Sequence, residues 1–535
     1  MTQDNVPKII GVGVNEHDAH YMGFLTPSGA KIPIPFATIN GREAALFSRL
    51  GEAGILLSTS EAKHAVREGI QANAGTKPSF EVPTSLGLHH GAFVRPDGLI
   101  GKPSVPLIPD LSDIRHGGKY HSNGSLDDWI THIAETCRGN DRLIFAVSAA
   151  FAGAILPVLG LSGFAFQFVG ETSIGKTTIL MVAGSVHGCK PEPDNHLGFC
   201  ETWSTTQNAV EDLAVAHNHG LLLLDETRTG GSDDASRARL YLNTIMTHTA
   251  GMEKQRKNAG PPRGWRAVLL SSTNLAMLKM AEMGGVTVDD AYRVRSPDIP
   301  AEVPGGHGAF QELHDCTSGG EFSDRLQEAA RTYFGTAIVE FLHALTDDLA
   351  RDPEGLKARL NKWIDHYRDT APTPTGSNAD GRVRDKFAVV YAAGRLAASY
   401  DVLPWPKEIG RAVRACEAAH HGFVRQTAHE DPVARVGRYL KANRKAMPRV
   451  PEGGLPITRI DVEQARGFRR KTAKGDVFLV PTARFEREFP DTRAALDGLV
   501  GRGLLLTQGQ RLVSKHTIRE GHRDYVYAIK ADIVG

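Results

Sequence analysis

A glycine-rich segment at residues 170–177 has the residue types and spacing of a loop that binds phosphate groups. Its sequence, Gly-Glu-Thr-Ser-Ile-Gly-Lys-Thr, fits the pattern G-x-x-x-x-G-K-[ST], between a predicted strand at 164–169 and a predicted helix at 178–183. Glycines let consecutive backbone N–H groups surround anionic oxygens, and the N-terminus of the following helix adds partial positive charge. The segment therefore predicts a nucleotide site, in which Lys176 contacts the terminal phosphates and Thr177 offers a hydroxyl to Mg²⁺. The predicted nucleotide-binding residues are Gly170, Glu171, Thr172, Ser173, Ile174, Gly175, Lys176, Thr177 and Thr178.

Two carboxylates follow an apolar strand 55 positions after Gly170, where four leucines at 221–224 lead into Asp225 and Glu226. We expect Asp225 to hold Mg²⁺ through water and Glu226 to orient and deprotonate the attacking water. Together with the loop, the acid pair predicts a hydrolase that uses ATP and Mg²⁺. A solvated helix or strand cap is the alternative interpretation of the pair when it is taken alone.

A third apolar run, at 265–270, ends in the polar sequence Ser-Ser-Thr-Asn at 271–274. We predict that Asn274 contacts the terminal phosphate of the nucleotide and takes part in catalysis, with Ser272 or Thr273 as alternatives. Small polar residues also favour ordinary turns at strand ends, so a turn without a catalytic role is the competing interpretation.

The segment at 251–264 is basic and bounded by glycines. Four of its side chains could follow the phosphate backbone of single-stranded DNA through charge alone, without contacts to the bases. A solvated surface loop is the alternative. The predicted DNA-binding residues are Lys254, Arg256, Lys257 and Arg263.

Arginines beyond the third apolar run could act on a nucleotide bound by a neighbouring subunit. Arg295 is the preferred residue and Arg293 the second choice, since an arginine inserted from a neighbour stabilises charge that develops during phosphoryl transfer. Arg384, in a predicted helical region, could be a further phosphate contact, although a surface salt bridge explains it better.

Four regions are predicted to position these motifs. Short strand-like runs at 8–14, 29–36 and 91–98 indicate a strand-rich N-terminal domain over 1–124. Alternating helical and strand patterns over 125–320 are typical of an α/β ATPase core with a mostly parallel sheet. Residues 321–432 are predicted to form a helical lid, with helices at 324–347, 356–367 and 385–400. Residues 433–535 form the fourth region.

The C-terminal region concentrates positive charge. From Val433 onward there are 21 Lys and Arg against 11 Asp and Glu, so this region carries +10 and the preceding residues carry −9. A helix at 433–446, a basic loop, short helices at 482–489 and 492–500 and strands at 504–507 and 524–529 resemble a winged helix. Non-specific DNA contact, docking of a protein and plain solvation all remain open for this region.

Composition and cysteine usage exclude several protein classes. With 535 residues, 41% hydrophobic and 23% charged, the chain is an ordinary globular protein rather than a disordered, collagen-like or multi-span membrane protein. The uncharged stretch at 143–166 is long enough for a membrane helix, but Pro157 and three glycines predict a buried helix, a turn and a strand. Five scattered cysteines and a start without a secretory signal predict a cytoplasmic location with free thiols.

Four pieces of sequence resemble a known family. They are Gly-Phe at 163–164, the loop at 170–178, Ala-Val-Ala-His-Asn at 214–218 and Val-Arg-Ser-Pro-Asp-Ile-Pro-Ala at 294–301. Over about 125–400 the chain resembles an uncharacterised-domain family of helicase-like P-loop proteins of phages, plasmids and integrating elements. It departs from that pattern at Thr273 and Asn274, where relatives usually carry Gly-Glu.

The resemblance implies an AAA+ ring related to superfamily III and similar to staphylococcal-cassette helicases likened to MCM proteins. In superfamily III a basic hairpin at the position of residues 251–264 projects into the central channel. We therefore expect a homo-hexameric, Mg²⁺-dependent ATPase that moves on single-stranded or forked DNA during replication of a mobile element. We expect a primase or polymerase encoded by the same element as a further partner. We expect no association with a membrane. The alternatives are an AAA+ ATPase that remodels proteins or acts in defence, and a nucleotide-gated initiator that binds DNA.

Overall fold

The computed structural model divides the chain into two compact units, the first comprising residues 1–284 and 288–421 and the second residues 285–287 and 422–535. The residues that the structure describes are 6–114, 119–189, 198–203, 207–225, 234–253, 262–285, 290–370, 378–428, 432–456, 461–462, 465–472, 475–489, 492–507 and 511–534.

The first unit begins with a four-stranded sheet in the order β3-β2-β1-β4, in which only β1 and β4 are parallel. The predicted strand at 8–14 forms and that at 29–36 is shorter, while the three helices were not predicted. Helix α3 forms because Ala62, Val66 and Ile70 recur at a spacing of four and bury one face. The elements are β1 (Lys8–Val14), β2 (His20–Leu25), β3 (Lys31–Pro35), α1 (Phe36–Ile39), α2 (Glu43–Glu52), α3 (Ser60–Asn73) and β4 (Phe80–Glu81).

A small antiparallel sheet follows, formed by β5 (Gly87–His89), β6 (Ala92–Arg95) and β7 (Gly98–Ile100). The run predicted as one strand at 91–98 therefore contains β6, the turn after it and the first residue of β7. Residues of the Ala-Val-Ala-His-Asn segment bind this sheet: Asn218 Nδ2 donates to the carbonyl of Leu86 at 2.7 Å, and His219 Nδ1 accepts from the N–H of Leu88 at 2.9 Å.

The centre of the first unit is a five-stranded parallel sheet in the order β12-β8-β11-β10-β9. Every residue of β8, β10 and β11 is buried, which explains why these strands are continuous apolar runs rather than alternating ones. This confirms a mixed α/β fold with a parallel sheet. The elements are α4 (Leu126–Trp129), α5 (Asp141–Ala150), α6 (Ala152–Leu159), β8 (Phe164–Val169), α7 (Lys176–Ser185), β9 (Glu201–Thr202), α8 (Gln207–Ala216), β10 (Leu221–Asp225), α9 (Asp234–Ala250), β11 (Val268–Thr273), α10 (Met277–Gly284), α11 (Asp290–Arg295) and β12 (Asp298–Pro300).

The uncharged stretch at 143–166 forms α5, α6 and β8, and the first and last of these elements are fully buried. Helix α6 ends at Gly160, whose φ of 68° suits a residue without a Cβ. Among the described residues no single helix has the length and hydropathy to cross a membrane, although α5 and α6, bent by 50°, meet both criteria when joined.

Five helices complete the first unit, where the sequence predicted fewer. The predicted helix at 324–347 is two helices, because the chain turns at Tyr333–Gly335. There Phe334 exchanges two backbone hydrogen bonds with Asn123, and Gly335 has a φ of 78°. The helices are α12 (Gly319–Thr332), α13 (Thr336–Arg351), α14 (Pro353–Thr370), α15 (Asn378–Ser399) and α16 (Glu408–Ala428), the last of which extends into the second unit.

The second unit has an antiparallel sheet in the order β13-β14-β16-β15. The segment predicted as a basic loop contains the hairpin of β13 and β14, and the predicted strand at 504–507 is reduced to an isolated bridge between Leu505 and Ile529. Phe478, Val480 and Tyr527 bury one face of the sheet against helices. The elements are α17 (Pro432–Asn443), β13 (Phe468–Thr472), β14 (Gly475–Pro481), α18 (Thr482–Glu488), α19 (Thr492–Gly501), β15 (Ser514–His516) and β16 (Asp524–Lys530).

The break between α12 and α13 generates a stability prediction. A Cβ at Gly335 would overlap the carbonyl oxygen of His121, whereas a Cβ at Gly160, also at positive φ, would meet nothing within 4 Å. Gly160→Ala should therefore cost about 1 kcal/mol of unfolding free energy from backbone strain, and Gly335→Ala about 2 kcal/mol more from the overlap. Denaturant unfolding of both variants measures the difference, and equal losses would contradict this account of the break.

Candidate nucleotide-binding site

The loop at 170–175 joins β8 to α7 through two left-handed backbone conformations. Ser173 has a φ of 65° and Gly175 a φ of 102°, and α7 begins at the next residue, Lys176. A Cβ at Gly175 would lie 2.7 Å from Cζ of Phe310, so both the backbone angle and the packing require glycine. The loop thus presents the start of α7 to a cavity, which is the arrangement that binds anions at a helix N-terminus.

The Lys176 side chain is buried and held across the loop. Its Nζ donates to the carbonyl oxygens of Gly170 at 2.9 Å and Glu171 at 2.5 Å, and to Oδ1 of Asn274 at 2.8 Å. A buried ammonium group requires such acceptors because its desolvation is costly. The predicted lysine and the predicted polar residue after β11 are therefore in direct contact.

Asp225, at the end of β10, joins two other elements through its carboxylate. Oδ2 accepts from Thr177 Oγ1 at 2.7 Å, and Oδ1 accepts a short hydrogen bond from Ser272 Oγ. The hydroxyl of Thr177 and the carboxylate of Asp225 are the hard oxygen ligands that Mg²⁺ prefers, so these residues fit that ion. Within the described ranges no group of three or more His, Cys, Asp or Glu could hold a metal.

The side chain of Asn274 contacts the loop at two points. Its Nδ2 donates to Thr172 Oγ1 at 3.1 Å while its Oδ1 binds Lys176. Of the two alternatives, Ser272 is bonded to Asp225, and the hydroxyl of Thr273 accepts from the N–H of Leu275 at 3.1 Å. The geometry thus favours Asn274 as the contact to a terminal phosphate.

These groups line a cavity of about 750 Å³, a size that suits a nucleotide. Residues 172–178, Asp225 and 272–274 form one side, while Gly170 and Glu171 contribute only carbonyl oxygens to Lys176. The opposite side was not predicted from the sequence. Its residues are Glu302, His307, Gly308, Phe310, Gly319, Gly320, Ser323, Asp324 and Gln327.

Close backbone contacts fix this second wall against the loop. The N–H of Ala309 donates to the carbonyl of Ile174 at 2.8 Å, and a Cβ at Gly308 would lie 2.7 Å from the same oxygen. Gln327 of α12 donates to Thr178 Oγ1 at 2.9 Å. The concentration of glycine at 305–308 and 319–320 was the signal in the sequence that could have identified this wall.

The proposed arginines for a neighbouring site do not line the cavity. Arg293 and Arg295 lie on α11, and both are partly exposed. Burial lowers the pKa of Lys386 on α15 to about 8, and the positive charges of Arg382 and Arg295 add to the shift. Arg295 lies outside the cavity of its own subunit, a location that is compatible with action on the nucleotide of another subunit. That action stays a prediction.

Several predicted residues lie outside the described residues, namely Glu226, Lys254, Arg256 and Lys257. Arg263 is described: it forms ion pairs with Asp212 and Glu253, which raise the pKa of its guanidinium. Its role in DNA binding stays a prediction, with its charge already matched by two carboxylates. Arg384 lies 3.4 Å from Glu417 in an ion pair, as a salt bridge requires, but Glu417 is buried and the pair does not lie on the surface as predicted.

Comparisons with known proteins give a family match and a structural match. A family model described as a domain of unknown function, DUF927, matches residues 8–256. A solved structure named SCCmec type IV Cch, active helicase, is similar with a TM-score of 0.59 and 16% identity, over 99% of this chain and 94% of that chain. No curated protein matches. The chain thus resembles DUF927 proteins over residues 8–256 and shares the fold of that SCCmec structure over nearly its full length.

Proposed function

We propose that this chain is a Mg²⁺-dependent ATPase that moves on single-stranded or forked DNA as a homo-hexameric ring, in the replication of a mobile genetic element. The observation that carries the proposal is the convergence of Lys176, Thr177, Asp225 and Asn274 on one nucleotide-sized cavity. In this proposal residues 125–320 are an AAA+ core, 321–432 its lid, 1–124 an N-terminal domain and 433–535 a winged helix.

Hydrolysis follows from the positions of the side chains. The ammonium of Lys176 exchanges loop carbonyls for phosphate oxygens, and the amide of Asn274 contacts the terminal phosphoryl group. Glu226, adjacent to Asp225, orients and deprotonates the attacking water. Thr177 and, through water, Asp225 would hold Mg²⁺, which would supply positive charge to neutralise the phosphate oxygens.

The fold of the chain and its distribution of positive charge support DNA as the molecule along which the ATPase moves. The structural neighbour is named an active helicase. The C-terminal region carries +10, and the basic residues at 254–257 follow α9 in the chain. Backbone phosphates pair with such charge without regard to base sequence, as a translocating enzyme requires.

The first test compares ATP turnover of wild type and Glu226→Gln, with and without single-stranded DNA, at low and moderate salt. DNA should stimulate the wild type, and the variant should lose about 100-fold or more in kcat because the water is no longer activated. Glu302→Gln is the matched control, since Glu302 is a carboxylate on the same cavity without an assigned role, and its kcat should stay within about threefold of wild type.

Other outcomes would decide against this function. A rate of ATP turnover that DNA does not change and that rises with a protein substrate would favour a protein-remodelling ATPase. ATP-dependent binding of origin DNA without turnover or strand separation would favour an initiator.

A mixing experiment tests the ring and Arg295 together. Arg295→Ala and Glu226→Gln should each be nearly inactive, because one lacks the arginine and the other lacks the base. If Arg295 acts on a neighbour, mixed rings regain about a quarter of the sites, since a cavity with Glu226 then meets a subunit with Arg295. ATP turnover after subunit exchange measures this gain, Arg293→Ala serves as the comparison, and strictly additive activities would contradict action between subunits.

A further inference from the structure

Three polar side chains cross the buried parallel sheet in one row. Asp298 on β12 is the register partner of Gln167 on β8, which is in turn the partner of Ser271 on β11. Residues paired in this way point to the same face of a sheet, and all three are buried. Such a row is unexpected in a parallel sheet, whose central strands are normally apolar throughout.

The row faces further buried hydroxyls. Tyr241 of α9 and Ser296, which precedes β12, are both buried. Burial raises the pKa of Tyr241 and Asp298 adds to the shift, whereas interactions of its hydroxyl with Ser296 and Ser271 lower it. In the described part of the chain, two side-chain oxygens of the row, Asp298 Oδ1 and Gln167 Oε1, have no hydrogen-bond partner, although buried polar atoms are normally paired.

The atoms of the row that do have partners hold the backbone that follows Asn274. Gln167 Nε2 donates to the carbonyl oxygen of Leu275 at 3.0 Å. Asp298 Oδ2 accepts from the N–H of Met277, the first residue of α10, at 2.9 Å. Gln167 and Asp298 thus hold the backbone of Leu275 and Met277. These residues lie one and three positions after Asn274, whose side-chain amide binds Lys176.

A proton on Asp298 would give this cluster one more hydrogen-bond donor. Burial raises the pKa of Asp298 to about 7, and no charged side chain contributes to the shift. The titratable groups that face it are Tyr241 of α9 and His420 of α16, whose ring Nδ1 donates to the Asp298 carbonyl oxygen at 2.8 Å; burial keeps both uncharged near pH 7. A protonated Oδ1 is a donor, so it can bind a neighbouring oxygen, as a neutral buried carboxylic acid does.

We propose that Asp298 and Gln167 are positioning residues, which hold residues 275–277 and thereby keep the Asn274 amide against Lys176 and the phosphate loop. The inference rests on the proposed ATPase function for its effect on turnover. The hydrogen bonds to residues 275 and 277 are independent of that function.

The test uses the full-length protein with Asp298→Ala, Asp298→Asn and Gln167→Met. Asp298→Ala removes the hydrogen bond to Met277, and Gln167→Met removes the hydrogen bond to Leu275. In each variant kcat should therefore fall about tenfold, while KM for ATP changes less than about twofold. Asp298→Asn keeps an acceptor for Met277 and adds a neutral donor, so it should retain most of the wild-type kcat at pH 7. Ser296→Ala is the matched control, because Ser296 belongs to the same cluster but does not bond residues 275–277.

Two further measurements separate positioning from general destabilisation. The wild-type kcat should decline as pH rises through about 7, because ionised Asp298 is a buried charge that destabilises the row even though its carboxylate still accepts from Met277, and Asp298→Asn should lack this decline. The Met277 amide should exchange its hydrogen faster in Asp298→Ala than in wild type or in Ser296→Ala. If Asp298→Ala does not fold, Gln167→Met and the pH profile of Asp298→Asn decide the question.

Unchanged kcat in folded Asp298→Ala and Gln167→Met would overturn the inference, as would a pH profile that Asp298→Asn shares with wild type. A wild type that never hydrolyses ATP would instead overturn the proposed function. In that case the exchange rate at Met277 still tests whether Asp298 holds this segment.

Discussion

The carboxylate of Asp225 joins the elements on which the site depends. It accepts from the hydroxyl at the start of α7 and from a hydroxyl near the end of β11, while its own position is set by the burial of β10. A buried carboxylate without such donors would be strongly destabilised. The phosphate loop, the polar segment after β11 and the acid are therefore one hydrogen-bonded assembly, and Lys176 closes it through Asn274.

This assembly depends on a sheet in which every strand runs in the same direction. Parallel strands bring their carboxyl ends to one edge, so residues far apart in the chain, such as Thr177, Asp225 and Asn274, meet there. The second wall of the cavity comes from the chain beyond β12, where glycines allow residues 308 and 309 to lie directly on the loop. The sheet edge thus supplies polar groups, and the wall encloses them.

The sequence predicted what is encoded by local patterns. The phosphate loop, the leucine run before Asp225 and the polar residues after β11 are contiguous, so their spacing alone identified them. The hairpin of β13 and β14 was missed because Arg469, Arg470 and Lys471 obscure its alternation. The break at Gly335 depends on Asn123, more than 200 residues away, and the row of Asp298, Gln167 and Ser271 depends on strand register. Neither relation leaves a pattern in neighbouring residues.

The contacts of Asn218 and His219 with residues 86–88 bear on how the chain can be dissected. Phe93, Ile100 and Tyr120 belong to the same hydrophobic core as α5 and α7, and the hydroxyl of Tyr120 donates to the carbonyl of Ala216. A fragment that starts at residue 125 would expose this part of the core and leave several hydrogen-bonding groups without partners. The smallest fragment that retains the packing of the nucleotide site therefore starts before β5.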